Sequence, residues 1–256
     1  MTYRLLDLFS GIGGFSLGLE RSGGFKTVAF CEIEPFPRRV LKKHWPDVPI
    51  YEDVRTVTKD RLTADGVSFN VICGGFPCQD VSSAGLRLGM DGERTVLYQE
   101  IIRLTRDFRP EYVIMENVPE LLALGFGDVL RALAKIGYDA EWHCIPASLL
   151  GACHPRDRVW IVAYPKEGHE TSWQLAGGDC FSERLAVAIR SAGINRFCEH
   201  EGKSTKWLDG EPALCGSNDG LSYGLVMRRI GALGNAVVPQ IPELIGRALL
   251  EVREVG

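Results

Sequence analysis

The sequence predicts an α/β fold, in which a mostly parallel β-sheet carries helices on both faces. Three observations lead to this prediction. Short apolar runs alternate with stretches of helical periodicity through residues 1–164. Turns that contain Gly or Pro separate these segments. The first apolar run, Arg4–Phe9, leads into a glycine-rich turn and then a helix, as in the first βα unit of nucleotide-binding sheets.

Composition narrows the class of protein. The 256 residues are 45% hydrophobic and 24% charged, which is ordinary for a soluble globular enzyme. No apolar run approaches the roughly 18 residues of a membrane helix and no signal peptide is evident, so we expect a cytoplasmic protein without a membrane partner. The net charge of −4 does not by itself indicate nucleic acid, and the basic cluster Arg103, Arg106 and Arg109 is typical of a helix surface.

The cysteines and histidines argue against a metal or disulfide framework. The eight cysteines never occur as Cys-x-x-Cys, and the five histidines show no metal-ligand spacing. We therefore expect reduced thiols and no bound metal.

The first two strands carry candidate ligand-binding residues at their ends. After the first strand, the turn offers glycines that let a ligand approach the backbone, and the following helix offers free N–H groups. A second strand, Thr27–Phe30, ends before Glu32, which lies about 20 residues beyond the glycines, where α/β folds accept hydrogen bonds from ribose hydroxyls. A solvated charge at a strand end is the alternative for Glu32. A helix over Pro35–Trp45 and a third strand, Val48–Tyr51, lead to Asp53, which could meet an adenine amino group.

The fourth strand leads to a candidate nucleophile. Val71–Cys73 reads as a buried strand that Gly74 and Gly75 end, and Pro77 stiffens the backbone directly before Cys78. A cysteine on such a turn, followed by a small, polar loop, is placed as a nucleophile at the carboxyl edge of a sheet. Cys73 fits a buried structural thiol instead.

The next units carry a candidate acid and two arginines. A helix over Thr95–Phe108 precedes the strand Tyr112–Met115, which Glu116 follows; a candidate acid and a solvated or capping carboxylate both remain open for that residue. A helix is predicted over Phe126–Ile136. Two further strands, Asp139–Ala147 and Val159–Ala163, are expected as an antiparallel pair, with Arg156 and Arg158 in the turn that enters the second.

Residues 165–227 differ in their sequence pattern from the rest of the chain. Periodicity weakens, and only Phe181–Ser191 suggests a helix. We interpret the segment as a small irregular lobe on loops. A terminal helix with an apolar stripe that includes Ile241, Leu244 and Leu249 should dock on the sheet.

Taken together, these stretches resemble the C5-cytosine DNA methyltransferase family of bacterial and phage restriction–modification systems. The matching motifs cover most of the chain and are, in order, Asp7–Gly14, Glu32–Ile33, Asp53–Val54, Gly75–Gln79, Glu116–Val118, Arg156–Arg158 and Gly234–Val237. The resemblance implies a class I S-adenosylmethionine-dependent methyltransferase (Rossmann-like) fold. It divides the chain into a catalytic domain, residues 1–164 and 228–256, and a short target-recognition lobe, residues 165–227.

The resemblance also implies roles for individual residues. The Cys78 thiolate would attack C6 of a flipped-out cytosine, Glu116 would hold or protonate N3, Arg158 would hold O2, and the 79–94 loop would clamp the base. The expected catalytic residues are Cys78, Glu116, Arg156 and Arg158. The residues expected to bind S-adenosylmethionine, and its product S-adenosylhomocysteine, are Asp7, Phe9, Gly11, Gly13, Gly14, Glu32, Ile33, Asp53, Val54, Gly75, Phe76, Pro77, Asn235 and Ala236. Those expected to bind substrate are Gln79, Ser82, Asn117, Arg228 and Arg229.

Two departures from the family pattern bear on recognition. His154 stands where the family has Gln before the arginines, with Pro155 after it. Only about 60 residues occupy the usual place of a long recognition domain, so recognition of double-stranded DNA is expected to be short, relaxed or partner-assisted. We expect a monomer, with a cognate restriction endonuclease as a possible partner. Methylation of cytosine in RNA and a non-catalytic nucleic-acid-binding remnant remain as alternatives.

Overall fold

One seven-stranded sheet organises the part of the chain that the computed structural model describes, residues 2–77, 97–150, 156–166, 181–191 and 235–255. The strand order is β3-β2-β1-β4-β5-β7-β6. The strands are β1 Tyr3–Leu8, β2 Phe25–Cys31, β3 Ile50–Tyr51, β4 Val71–Gly75, β5 Tyr112–Asn117, β6 Tyr138–Pro146 and β7 Asp157–Pro165. The first five run parallel, whereas β7 runs antiparallel to both β5 and β6. The predicted mostly parallel sheet and the antiparallel pair are both confirmed.

Eight α-helices accompany the sheet within the described ranges. They are α1 Gly14–Arg21, α2 Pro35–His44, α3 Lys59–Ala64, α4 Tyr98–Phe108, α5 Leu121–Leu124, α6 Phe126–Lys135, α7 Phe181–Ser191 and α8 Gln240–Val255. Two 3-10 turns cover Val54–Thr56 and Ala147–Leu150. The sequence did not predict α3 and α5, because segments of six and four residues are too short to show helical periodicity. None of the helices described is long and apolar enough to cross a membrane.

The sheet buries apolar residues on both faces. Neighbouring residues of a strand point to opposite faces, so Leu6 of β1 joins one hydrophobic cluster and Leu5 joins the other. The first cluster takes residues from α3, α4 and α6, and the second takes residues from α1, α7 and α8. In the second, the Phe15 ring meets the Trp160 ring edge-on at 5.4 Å between centroids. The prediction of helices on both faces is confirmed.

Helix α7 packs on the sheet although it lies within the predicted lobe, residues 165–227. Leu185 and Ala188 are buried in the same cluster as Ile245 of α8. Residues 167–180 and 192–234 lie outside the described part, so the division into domain and lobe stays a prediction.

Two glycines of α1 allow the chain to return close to the first helix. A Cβ atom on Gly14 would lie 2.4 Å from the Val237 carbonyl oxygen, and one on Gly18 would lie 2.1 Å from the Pro239 carbonyl oxygen. Both distances are far below contact distance and involve backbone, which cannot easily move aside. Glycine at these positions therefore lets the segment before α8 lie directly on α1.

Asp7 fastens α1 to the end of β1 from inside the protein. Its side chain is fully buried, and the Ser16 hydroxyl donates to its Oδ2 at 2.6 Å. Burial raises the pKa of Asp7 to about 7, although hydrogen bonds from Ser16 and Cys73 favour the ionised form and act in the opposite direction. Near neutral pH, the sheet therefore holds a carboxyl group that is partly protonated.

The close approach of α1 to Pro239 can be tested by adding one methyl group. Gly18→Ala should lower the free energy of unfolding by about 1–3 kcal/mol, because overpacking outweighs the better helix propensity of Ala. Urea unfolding followed by circular dichroism measures the change.

Gly127→Ala in α6 is the matched control, because a Cβ atom there would have no neighbour within 4 Å. It should leave stability unchanged or raise it by up to about 1 kcal/mol. Equal stabilities of the two variants would contradict the packing described for α1.

The pKa of Asp7 predicts how stability depends on pH. An unfolded aspartate ionises near pH 4, whereas Asp7 in the folded protein ionises at about 7. Between these values the folded state keeps a proton that the unfolded state has lost, so its contribution to the free energy of unfolding falls with rising pH, by up to about 1.4 kcal/mol per pH unit. Asp7→Asn lacks this titration. In urea unfolding from pH 5 to 8, the free energy of unfolding of the variant should rise relative to that of the wild type up to about pH 7. A difference between the two free energies that stays constant over this range would refute the assignment.

Candidate active site

Candidate residues meet at the carboxyl edge of the sheet. The strands β2, β1, β4 and β5 are neighbours and run parallel, so their carboxyl ends lie side by side. In open α/β sheets, ligands bind in the crevice outside this edge. Strand β2 leads to Glu32, β1 leads to the glycine turn, and β4 leads to Phe76 and Pro77. Strand β5 ends at Asn117.

The glycine turn after β1 has an unusual backbone. Phe9, Gly11 and Gly13 all have positive φ, of 53°, 52° and 87°. Positive φ is uncommon for a residue with a side chain such as Phe9 and indicates local strain, which concentrates at functional sites. Buried Ser10 ties the turn to its surroundings, because its hydroxyl donates to the Asp7 carbonyl at 2.6 Å and its N–H donates to the Cys31 carbonyl at 3.1 Å. The turn is thus fixed to the ends of both β1 and β2.

Glu32 is a carboxylate held in place by backbone. It is only 8% exposed. Its Oε2 accepts from the Gly11 N–H at 2.7 Å, and its Oε1 accepts from the Glu34 N–H at 2.7 Å. Each carboxylate oxygen has a further lone pair and can accept from a ligand as well. Beside it, the Ile33 side chain is 63% exposed, and a Cβ atom on Gly11 would meet nothing within 4 Å, so this corner has both open space and an oriented acceptor.

Asp53 already has a partner within its own turn. The Arg55 guanidinium forms an ion pair with it at 2.6 Å, and the Arg55 N–H donates to Oδ1 at 2.9 Å. The hydrogen bond from Arg55 holds the pKa of Asp53 below its usual value. Val54, which follows, is buried. Asp53 thus presents an ionised carboxylate that an incoming donor would share with Arg55.

Glu116 lies over the end of the neighbouring strand. It pairs with Gly75 across the β4–β5 ladder, and a Cβ atom on Gly75 would lie 2.8 Å from Glu116 Oε2. Glycine at position 75 therefore leaves room for the carboxylate. Because Gly75 comes three residues before Cys78, this contact places Glu116 beside the segment that carries the predicted nucleophile.

Glu116 and Arg158 form an ion pair with little exposure to water. Arg158 Nε lies 2.8 Å from Glu116 Oε1, and the arginine and glutamate side chains are 20% and 13% exposed. Burial raises the pKa of Glu116, and the positive charges of Arg158 and Arg156 oppose that rise. The result is a carboxyl group that holds its proton more readily than an exposed glutamate, next to a cation.

Arg156 connects this pair to the C-terminal segment. Its Nη2 donates to the Ala236 carbonyl at 2.7 Å, and its backbone φ is 38°. Burial and the charge of Arg158 both lower the pKa of Arg156. The neighbouring Asn235 is exposed. Residues 235 and 236 are thereby brought to the same edge of the sheet as Glu116.

The side chains of some predicted site residues are enclosed. Asn117, which is predicted to bind substrate, has a buried side chain that donates to the Phe76 carbonyl at 2.9 Å and accepts from the Val118 N–H at 2.8 Å. These bonds fix the backbone before Cys78, and the substrate contact stays a prediction. Asp7 and Val54 are also enclosed, so a ligand could reach only their backbone.

Several predicted residues lie outside the described part of the chain. These are Cys78, Gln79, Ser82, Arg228 and Arg229, together with the rest of the 79–94 loop and His154 with Pro155. Pro77, the last described residue before Cys78, is exposed, whereas Phe76 is buried with its ring centroid 5.9 Å from that of Tyr98. The predicted roles of the undescribed residues stay predictions.

Two serines that were not among the predicted residues hold the site together. Ser10 joins the glycine turn to β2, and Ser16 joins α1 to Asp7. Ser10 directly precedes Gly11, and Ser16 lies in the first turn of α1. A hydroxyl residue on each side of the glycines was the available signal.

Known proteins resemble most of the chain. A family model described as "C-5 cytosine-specific DNA methylase" matches residues 3–187. Type II methyltransferase M2.BsuMI of Bacillus subtilis is 34% identical over 168 residues, which cover 62% of this chain and 41% of that relative. M.NgoMIV of Neisseria gonorrhoeae is 37% identical over 65% of this chain and 53% of its own. M.AquIA of Picosynechococcus is 30% identical over 72% of this chain and 84% of its own. The chain thus spans about half the length of the first two relatives.

Solved structures share the fold. A putative DNA modification methyltransferase encoded within an Escherichia coli prophage has a TM-score of 0.65 at 18% identity, and the match covers 99% of this chain and 100% of that one. DNMT2 of Spodoptera frugiperda has a TM-score of 0.55 at 22% identity over 65% of this chain and 51% of its own. The observed sheet is accordingly that of the class I methyltransferases. With the family model matching over residues 3–187, the chain belongs to the C-5 cytosine-specific DNA methylase family.

Proposed function

We propose that the protein is a DNA (cytosine-5-)-methyltransferase that transfers a methyl group from S-adenosylmethionine to C5 of a cytosine in double-stranded DNA. The observation that carries the proposal is the Glu116–Arg158 ion pair, which lies over Gly75 and beside the segment leading to Cys78. This pair offers a proton and a positive charge where a pyrimidine attacked at C6 would need them. Family membership supports the same reaction.

Three residues act in the proposed attack on the cytosine base. Cytosine C5 is a poor nucleophile until something adds at C6. The Cys78 thiolate forms a bond to C6. The C5–C6 π electrons then move away from C6 through the conjugated ring, and negative charge develops towards N3. Glu116 donates a proton or a hydrogen bond to N3 and limits that charge, a role that its raised pKa suits. Arg158 holds the O2 atom.

The later steps methylate the cytosine and release it from the enzyme. The electron-rich C5 would form a bond to the methyl carbon as the bond from that carbon to the sulfonium sulfur breaks, which leaves S-adenosylhomocysteine. A base then removes the C5 proton, and the electrons of that C–H bond restore the C5–C6 double bond and expel the Cys78 thiolate. Any proton that Glu116 gave to N3 returns to Glu116. A free thiol has a pKa of about 8.5, so Cys78 needs surroundings or a bound substrate that favour the thiolate.

The residues at the glycine turn fit an adenosyl group. Glu32 retains acceptor capacity for ribose hydroxyls, Ile33 is exposed beside it, and the space over Gly11 is open. Asp53 would accept from the adenine amino group, and exposed Asn235 would lie at the far end of the turn. When bound there, S-adenosylmethionine supplies an electrophilic methyl group.

The DNA substrate imposes two further requirements. Cytosine cannot be reached within a duplex, so the base must be flipped out, and we assign the clamp to the 79–94 loop. Sequence-specific contacts fall to the short lobe within residues 165–227, with Arg228 and Arg229 nearby in sequence. The relatives are named as Type II methyltransferases, which favours a role in protecting DNA within a restriction–modification system, with an endonuclease as the cognate partner.

The function is tested by expressing the protein in a methylation-deficient host and sequencing bisulfite-treated DNA. Wild type should protect cytosines at a defined site, and Cys78→Ala should abolish protection while S-adenosylhomocysteine binding survives, because the thiol acts on the base alone. Cys144→Ala is the matched control, since Cys144 is an exposed free thiol on β6, the outermost strand of the sheet, and has no role in the proposed chemistry.

Three results would decide against the proposal. Methyl transfer from tritiated S-adenosylmethionine that is unchanged in Cys78→Ala would remove the nucleophile. Transfer to RNA but not to DNA would identify an RNA methyltransferase. Cofactor and DNA binding without any transfer by the wild type would identify a non-catalytic remnant.

The role of Glu32 is tested by its affinity for the cofactor product. Glu32→Ala should weaken S-adenosylhomocysteine binding by about 1–3 kcal/mol, because buried hydrogen bonds to a charged group are lost. Isothermal titration calorimetry measures the change. Glu34→Ala removes the same charge from an exposed side chain that makes no capping bond, and should bind as the wild type does; equal losses in both variants would contradict the assignment.

A further inference from the structure

Arg103 of α4 is not the surface charge that its sequence context suggested. Its side chain is 25% exposed, whereas Arg106 on the same helix is 62% exposed. Arg103 Nη2 donates to the Val57 carbonyl at 2.9 Å and to the Val54 carbonyl at 3.2 Å. Its guanidinium therefore reaches the 3-10 turn that directly follows Asp53.

Glu100 orients this guanidinium. Arg103 Nε donates to Glu100 Oε2 at 2.8 Å, and Nη2 lies 2.7 Å from the same oxygen. Glu100 is only 9% exposed. A buried carboxylate this close to a guanidinium restricts the rotamers of both side chains. Helix α4 is itself anchored at its start, where the Tyr98 ring packs near the Phe76 ring.

The turn that Arg103 holds is also held from α3, where Arg61 Nη1 donates to the Thr56 hydroxyl at 2.8 Å, but this bond reaches a side chain and not the backbone. Within it, the Val57 N–H donates to the Val54 carbonyl at 3.1 Å, and the Thr56 N–H and hydroxyl donate to the Asp53 carbonyl at 3.0 and 2.8 Å. These bonds shape the turn but do not attach it to the sheet. Burial of Val54 and Val57 against the core provides the apolar attachment, and Arg103 provides a directional, polar one.

We propose that Arg103, oriented by Glu100, is a positioning residue for the cofactor: it fixes the turn after Asp53 so that the Asp53 carboxylate meets the adenine amino group. The inference rests on the proposed function, because that function assigns Asp53 to adenine. Arg103 does not touch the cofactor and acts only through the backbone of Val54 and Val57.

The experiment compares three variants with the wild type by calorimetry with S-adenosylhomocysteine, at a temperature where each is folded. Arg103→Met keeps much of the apolar stem but removes the donors, and should weaken binding about tenfold or more. Arg103→Lys keeps the charge and one nitrogen donor for the carbonyls but lacks the Nε that holds Glu100, and should bind with intermediate affinity. Arg106→Met makes the same charge change at an exposed position and should bind as the wild type does.

Steady-state kinetics separates positioning from general damage. The KM for S-adenosylmethionine should rise in Arg103→Met while kcat at saturating cofactor stays close to the wild-type value. A lowered melting temperature with unchanged affinity in both Arg103 variants would show a purely structural role and overturn the inference; so would a fall in kcat at unchanged affinity. Should Arg103→Met not fold, wild-type affinity in Arg103→Lys overturns it. Failure of the wild type to bind S-adenosylhomocysteine would overturn the proposed function instead.

Discussion

The ion pair between Glu116 and Arg158 depends on the direction of one strand. Glu116 is near the carboxyl end of β5, and Arg158 is near the amino end of β7. Because β7 runs antiparallel to β5, its amino end lies at the edge where the parallel strands finish. A parallel seventh strand would place the same arginine at the opposite edge, with the sheet between the two charges. The antiparallel direction of β7 thus brings the two opposite charges to the same edge of the sheet.

The rest of the edge is assembled by close backbone approach. Gly75 leaves space for Glu116, while Gly14 and Gly18 let residues 237–239 lie on α1. The Arg156 bond to Ala236 then ties that returning segment to β7. Residues from the two ends of the chain therefore meet around the glycine turn, and the packing of α8 against α1 and α7 keeps them there.

The strands and the long helices, in their order along the chain, could be predicted from the sequence, because apolar runs and periodicity are local signals; the order of the strands across the sheet was not predicted. The candidate residues at strand ends followed from the same reasoning, since parallel strands share one carboxyl edge. The roles of Asn117 and Arg103 could not be predicted. Their partners are the carbonyls of Phe76, Val54 and Val57, which are distant in sequence and carry no side-chain signature. Short helices such as α5 were missed for want of a full period.

The backbone bonds to Glu32 have a consequence for selectivity. Two N–H groups already hold its oxygens, so the carboxylate can offer a ligand only acceptors, in a fixed orientation. A ribonucleoside brings two adjacent hydroxyl donors to such an acceptor, and a deoxyribonucleoside brings one. Under the proposed function the enzyme works surrounded by the deoxyadenosines of its own substrate, and this carboxylate would keep them out of the pocket meant for the methyl donor.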